Sequence, residues 1–179
     1  MRQEVRTGEH APGELRLPEG TRSIEGSGNG ARRSVAIVVS RFNGDVTTAL
    51  LDAAVAELEE AGVPRGRIDV LPVPGAFELP LGAMALAKTR RYSCIVALGC
   101  VIRGETPHFD YVAAEAASGL QLAALETGVP VSFGVLTCET REQAEARAGG
   151  EHGNKGTEAA RTALEMAGVF ARLRAATVQ

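Results

Sequence analysis

Gly99-Cys100-Val101-Ile102-Arg103-Gly104-Glu105-Thr106-Pro107-His108-Phe109-Asp110-Tyr111 is the stretch whose reading decides the fold. The run Cys94–Ile102 carries almost no polar side chain, as a strand buried on both faces requires, and Asp110 opens an Ala-rich segment that reads as helix over 110–126. An apolar strand feeding a helix is the unit of a parallel α/β sheet, where the carboxyl ends of strands open into the ligand crevice. Arg103, Glu105, Thr106 and His108 therefore crowd the place where chemistry is expected, and a glycine before them allows close backbone approach.

The same alternation extends in both directions. Upstream, 35–39 is a short β-branched run, and after Ser40-Arg41-Phe42-Asn43-Gly44 the pattern turns helical, with Asn43 or Asp45 placed to cap it. Gly62 and Pro64 end that helix, a strand over 68–73 follows, and Pro74-Gly75-Ala76-Phe77-Glu78 turns into a helix running to Lys88. Downstream, the pattern predicts a strand over 131–136, a short helix over 139–147 broken by Gly149-Gly150, and a last helix over 157–173. Four strands alternating with helices call for right-handed crossovers and a parallel sheet covered on both faces. Residues 1–33 hold few large apolar side chains and read as a mobile tail before a single α/β domain at 34–179. Within that tail Ile24-Glu25-Gly26 could add a short edge strand, and the glycine-rich 26–30 reads as a flexible linker.

Composition narrows the function classes. The 179 residues are 45% hydrophobic, enough for one core of ordinary size. A net charge of −3, with no Trp, two Tyr and five Phe, leaves neither the basic footprint nor the stacking platforms of a nucleic-acid binder. Cys94, Cys100 and Cys138 are odd in number and lie in apolar surroundings, which suits free thiols in a reducing compartment, and their spacing is not that of a zinc site. No window is apolar enough for a membrane span and the start lacks a signal-peptide core, so the expectation is a soluble cytoplasmic protein.

Three post-strand loops, Arg41-Phe42-Asn43, Ala76-Phe77-Glu78 and Glu105-Thr106-Pro107-His108, must emerge on one edge of a parallel sheet. Together they would form a shallow pocket with two Phe faces and a carboxylate, fit for a flat heterocycle with hydrogen-bonding edges. Residues alone also allow Phe42 and Phe77 to plug the ends of the core. His108 is well placed to move protons near neutral pH, against the alternative of a histidine that merely caps a helix. The amides of Glu105 and Thr106 beside a helix start, with the Thr106 hydroxyl, make a phosphate cradle that still needs a cation. Arg147 and Lys155 are the candidates, though each also reads as a solvated helix end, and Gly153-Asn154-Lys155-Gly156-Thr157 is not a P-loop.

These residues resemble the lumazine synthase family from about Ile24 to Arg172. The matching pieces are Ser40-Arg41-Phe42-Asn43, Pro74-Gly75-Ala76-Phe77-Glu78, Gly99 to Tyr111, Pro130-Val131-Ser132-Phe133-Gly134-Val135-Leu136-Thr137, and Arg147-Ala148-Gly149 followed by Gly153-Asn154-Lys155-Gly156. The resemblance implies a flavodoxin-like three-layer sandwich and a transferase of riboflavin biosynthesis that needs no metal or organic cofactor. The reaction would condense 5-amino-6-(D-ribitylamino)uracil with 3,4-dihydroxy-2-butanone 4-phosphate. It implies that Phe42 stacks on the pyrimidine, that Ala76, Phe77 and Glu78 hold the ribityl chain, and that Cys100, Val101 and Ile102 offer backbone groups to the heterocycle. Glu105 and Thr106 would cradle the butanone phosphate and His108 would shuttle protons. Phe133 and Arg147 would arrive from a neighbouring subunit, so the resemblance implies a pentamer, with a sixty-subunit shell expected from the compact spacing between Arg147 and Lys155. The tail before Gly20 and the stiffening Pro107 depart from the family pattern without removing a matched residue. Two rivals share the scaffold: a flavin- or lumazine-holding cage without turnover, and a flavodoxin-like electron carrier. A phosphate cation and a proton shuttle together speak against the first, and a first loop without a Ser/Thr/Gly-rich phosphate grip speaks against the second.

Overall fold

A computed structural model describes residues 15–176. Its elements follow the chain as β1 (Val35–Ser40), α1 (Gly44–Glu60), β2 (Ile68–Val73), α2 (Leu79–Lys88), β3 (Cys94–Ile102), α3 (His108–Thr127), β4 (Val131–Cys138), α4 (Arg141–Ala146), β5 (Ala148–Gly150), β6 (Gly153–Asn154) and α5 (Lys155–Ala176). The four long strands form one parallel sheet in the order β2-β1-β3-β4, and β5 and β6 pair as a separate antiparallel hairpin. This is a flavodoxin-like three-layer α/β sandwich.

Alternation along the strands sorts the core into two layers. Val35, Ile37, Val39, Cys94, Val96, Leu98 and Leu136 meet α1 and α5 through Leu50, Leu58, Ala160 and Leu164. Ala36, Val38, Ile95, Ala97 and Val135 point the other way, to Leu79, Ala83, Ala116 and Leu120 of α2 and α3. Both central strands are thus covered on both faces, which is why they read as unbroken apolar runs. The chain steps from β1 outward to β2 and back across to β3, so the topological switch lies between the carboxyl ends of β1 and β3.

Several boundaries differ from the sequence reading. The helix expected from Asp110 begins at His108, with Pro107 as its N-cap, because proline's fixed φ suits a helix entrance. Strand β4 runs on to Cys138, paired with Ile102, and α4 is correspondingly shorter than 139–147. The Gly149-Gly150 break is one arm of the β5–β6 hairpin, and α5 starts at Lys155 rather than Thr157. Ile24-Glu25-Gly26 forms no strand, and its Ile24 is exposed.

The glycine-rich 26–30 lies against two helices. A Cβ on Gly26 would stand 1.8 Å from the Glu165 carbonyl oxygen of α5, one on Gly168 would stand 2.7 Å from the Ser27 amide, and the Gly30 amide donates to the Ala61 oxygen at 2.8 Å. These glycines are small because a backbone passes where a side chain would sit, a reason the linker reading did not contain. The expected tail's residues 1–14 and the expected domain's 177–179 lie outside the described residues.

Candidate functional site

Three loops meet at the carboxyl edge of the sheet, and backbone bonds lace them together. The Arg41 amide donates to the Val73 carbonyl at 2.9 Å and the Phe42 amide to Pro74 at 3.3 Å, extending the β1–β2 pairing into the loops. Phe42 is then carried out of the core, 72% exposed, with its ring edge 3.7 Å from where a Cβ on Gly75 would lie. Phe77 is 57% exposed. Neither ring plugs the core, so the structure removes that alternative. Ala76 is buried beneath them, and the Glu78 carboxylate accepts the Gly75 amide at 2.9 Å, closing the turn that presents it.

Asn43 supplies the bridge across the switch point. It occupies the N-cap of α1, but in the left-handed region at φ 54°, and its side chain caps no helix amide. Instead the Asn43 side-chain Nδ2 donates to the Cys100 carbonyl at 3.0 Å. An Asn tolerates that backbone geometry better than most residues, and the long-range bond holds it there. The Phe42 loop is thereby tied to the wall formed by Cys100, Val101 and Ile102.

The third loop follows β3. Glu105, Thr106 and His108 are exposed, and the His108 imidazole makes no hydrogen bond among the described residues. The helix-capping alternative therefore has no bond to support it. Arg103, which the sequence only placed in the neighbourhood, is the most connected side chain here. Its Nη1 and Nη2 donate to the two Asp110 oxygens at 3.0 and 2.8 Å, its Nε donates to Glu139 at 2.7 Å, and its guanidinium lies 4.2 Å from the centre of the Phe109 ring. The Arg103 guanidinium holds the Asp110 carboxyl below the ordinary carboxylate range.

Phe133 and Arg147 lie elsewhere. Together with Ser132, Thr137, Cys138 and Lys155 they line a cavity of about 450 Å³ along β4 and the start of α5. Arg147, which lines the cavity, donates from Nη1 to the Gln143 carbonyl at 3.0 Å, and Lys155 pairs with Glu158. Phe42, Phe77, Glu78, Glu105, Thr106 and His108 are all missing from that lining. One chain thus carries two groups that share no cavity: rings, carboxylates and an imidazole on the loops, and a β4 ring with two cations from the end of α4 and the start of α5.

The thiols are not reactive parts of either half. Burial pushes Cys94 and Cys100 up to about 12 and raises Cys138 as well, so all three stay protonated at neutral pH. Among the described residues no cluster of His, Cys, Asp or Glu could hold a metal ion. No described helix is long and apolar enough to cross a membrane.

Sequence reasoning missed the Asn43–Cys100 bond and the Arg103–Asp110–Glu139 cluster. The Asn43 partner is 57 positions away and Glu139 is 36 from Arg103, so local spacing carries no trace of either. Arg103 and Asp110, 7 positions apart across a loop, left only the faint signal of opposite charges flanking it.

Comparison with known proteins addresses the same residues. The family described as 6,7-dimethyl-8-ribityllumazine synthase matches residues 32–171. A protein of that description from Gemmatimonas aurantiaca is 52% identical over 149 residues, covering 83% of this chain and 91% of the relative. Another from Yersinia pestis is 52% identical over 152 residues, covering 84% of this chain and 97% of its own length. One from Yersinia pseudotuberculosis matches to the same degree.

Proposed function

The chain belongs to the 6,7-dimethyl-8-ribityllumazine synthase family, and from that premise we propose how its two half-sites perform the reaction. The protein is a transferase of riboflavin biosynthesis that joins 5-amino-6-(D-ribitylamino)uracil to 3,4-dihydroxy-2-butanone 4-phosphate. The observation that carries the reading of the site is the carboxyl-edge constellation of exposed Phe42, half-buried Glu78 and exposed His108 in a chain 52% identical to enzymes of that name.

Phe42 stacks on the pyrimidine, and the backbone of Cys100, Val101 and Ile102 meets its hydrogen-bonding edge. Ala76, Phe77 and Glu78 take the ribityl chain, with the Glu78 carboxylate accepting from its hydroxyls. Glu105 and Thr106 receive the phosphate of the second substrate, Thr106 through its hydroxyl and both through amides near the start of α3. The substrate amine then attacks the butanone carbonyl, and water leaves as the imine forms. Loss of a carbon-bound proton expels inorganic phosphate, and the second amine closes the ring with loss of another water. His108 takes and returns the protons at these steps, in an order set by the bound geometry. Holding two substrates face to face supplies a large part of the acceleration, because an amine and a ketone condense without strong catalysis.

The Phe133–Arg147 half completes the site of an adjacent copy. Two observations support this: the two groups line no common cavity within one chain, and the outer strand β4 is a sheet edge bordered by exposed Leu125, Phe133 and Met166. An unpaired edge beside apolar side chains is a surface that a partner covers. We infer a head-to-tail ring of five, extended to a sixty-subunit shell, acting in the cytoplasm. Mixing the purified protein with both substrates and following lumazine absorbance tests the activity. Absence of product with either order of addition would overturn it.

A further inference from the structure

The carboxyl-edge loop that bears Glu105, Thr106 and His108 is bracketed by one side chain that the reaction itself does not use. Gly104–Pro107 separate Arg103, just past the end of β3, from the first turn of α3. Arg103 spans that gap with a two-pronged bond to Asp110 at 3.0 and 2.8 Å. Its third arm reaches Glu139 at 2.7 Å, beyond the end of β4, and its plane stacks on Phe109 at 4.2 Å. The far anchor is itself fixed: the Arg103 amide donates to the Cys138 carbonyl at 2.9 Å, adding a rung to the β3–β4 pairing, and the Glu139 amide donates to Gln143 Oε1 at 2.9 Å.

Exposed ion pairs usually hold little, but this one has the features that make an exception. It is bidentate, part of a three-member network, stacked on a ring, and its cation is only 35% exposed. A flexible loop would have to be ordered each time a phosphate bound, and the ordering entropy would weaken binding. Asp110 and Glu139 would also present two uncompensated carboxylates near an incoming dianion. One guanidinium answers both difficulties.

We propose that Arg103 is a positioning residue that pre-shapes the Glu105–Thr106–His108 loop for the phosphate-bearing substrate and neutralises the two carboxylates beside it. The inference rests on the reading that this loop receives the butanone phosphate. A lysine cannot replace it fully, since one ammonium cannot grip two carboxylates in a fixed fork while stacking on a ring.

The test is steady-state kinetics on the full-length assembled protein, varying each substrate separately, for the parent chain, Arg103→Met and Arg103→Lys. The expected result for Arg103→Met is a KM for the butanone phosphate raised about tenfold or more, with the KM for the aminouracil within about threefold. Inhibition by inorganic phosphate should weaken in parallel. Arg103→Lys should fall between the two, and the melting midpoint of Arg103→Met should move by no more than about 4 °C. An unchanged KM for the phosphate substrate, or equal rises in both KM values, would overturn the proposal. If Arg103→Met does not fold, Asp110→Asn decides in its place, since it keeps the cation and breaks the two-pronged bond. The same split is then expected with a smaller rise, and no split overturns the proposal. A parent protein that makes no lumazine would instead overturn the reading of the reaction, so the two failures are distinguishable.

Discussion

At the scale of single residues, the proposed site mixes exposed groups such as Phe42 and His108 with half-buried or buried ones such as Glu78 and Ala76, which separates the effects of mutations. His108 is exposed at the first turn of α3 and makes no hydrogen bond among the described residues, so replacing it should leave the fold intact. His108→Ala is expected to slow turnover by about tenfold to 10³-fold, toward the low end because positioning supplies much of the rate. Turnover unchanged between pH 6 and 8 would remove His108 from the proton steps. Arg147 bonds the Gln143 carbonyl and lines the β4 cavity. Its removal should raise the KM for the phosphate substrate by one to two decades, as expected for a charge-assisted bond worth roughly 1.5–3 kcal/mol. Equal weakening of both substrates would show a disturbed interface instead. Asp110 adds a spectroscopic check. Its folded pKa lies below the unfolded one, so the bond's stabilisation is present above the unfolded value and is lost as pH falls through the folded value. A carboxyl titration followed by NMR should show the Asp110 midpoint moving up toward the ordinary carboxylate range in Arg103→Met.

At the scale of elements, the central strands are legible because each is apolar on both faces, 94–102 to the residue, whereas the edge strand 68–73 is bounded by its flanking turns, Pro64 before it and Pro74-Gly75 after it. The β5–β6 hairpin is not legible, because Ala148-Gly149-Gly150 and Gly153-Asn154 have no side chains whose alternation could announce a strand. The site followed the same division. Phe42, Glu78 and His108 are legible as aromatic or titratable residues in post-strand loops, whereas Asn43 and Arg103, in the same loops, act through partners that only the folded chain brings near. Gly156 shows a third case, a motif residue whose reason is packing. A Cβ there would stand 2.0 Å from the Leu50 carbonyl oxygen of α1, so α5 can lie against α1 only with a bare backbone at this turn. Neither helix backbone can yield cheaply, and Gly156→Ala should destabilise the fold by about 3 kcal/mol or more, readable as a lowered denaturant midpoint. A midpoint unchanged from the parent would mean that the two helices have room to separate.

At the scale of the whole molecule, the question is what covers the outer edge of the sheet. An apolar groove runs beside β4 between α3 and α5, lined by Leu125, Val129, Pro130, Met166 and Phe170, and it shares Ser132 and Thr162 with the cavity lined by Phe133, Arg147 and Lys155. A second copy placed there would bury the groove and bring the cations of one chain to the phosphate loop of another. Such a contact is head-to-tail, and it closes into a ring only when the rotation between copies divides the circle. In the shell proposed above, rings would join near the segment between Arg147 and Lys155. That segment is a tight hairpin closed by the Lys155 amide donating to the Arg147 carbonyl at 2.9 Å and the His152 amide to Ala146 at 2.8 Å, the compact form on which the proposed shell rests. Five chains of 18.7 kDa come to about 94 kDa and sixty to about 1,100 kDa, a gap that light scattering on a sizing column resolves without ambiguity. The larger species is expected. A single species at the smaller mass, unchanged by added phosphate, would discard the shell and leave the ring with its shared sites. A monomer that still made lumazine would refute the division of the site between chains, because Phe133 and Arg147 would then have to act on the loops of their own chain.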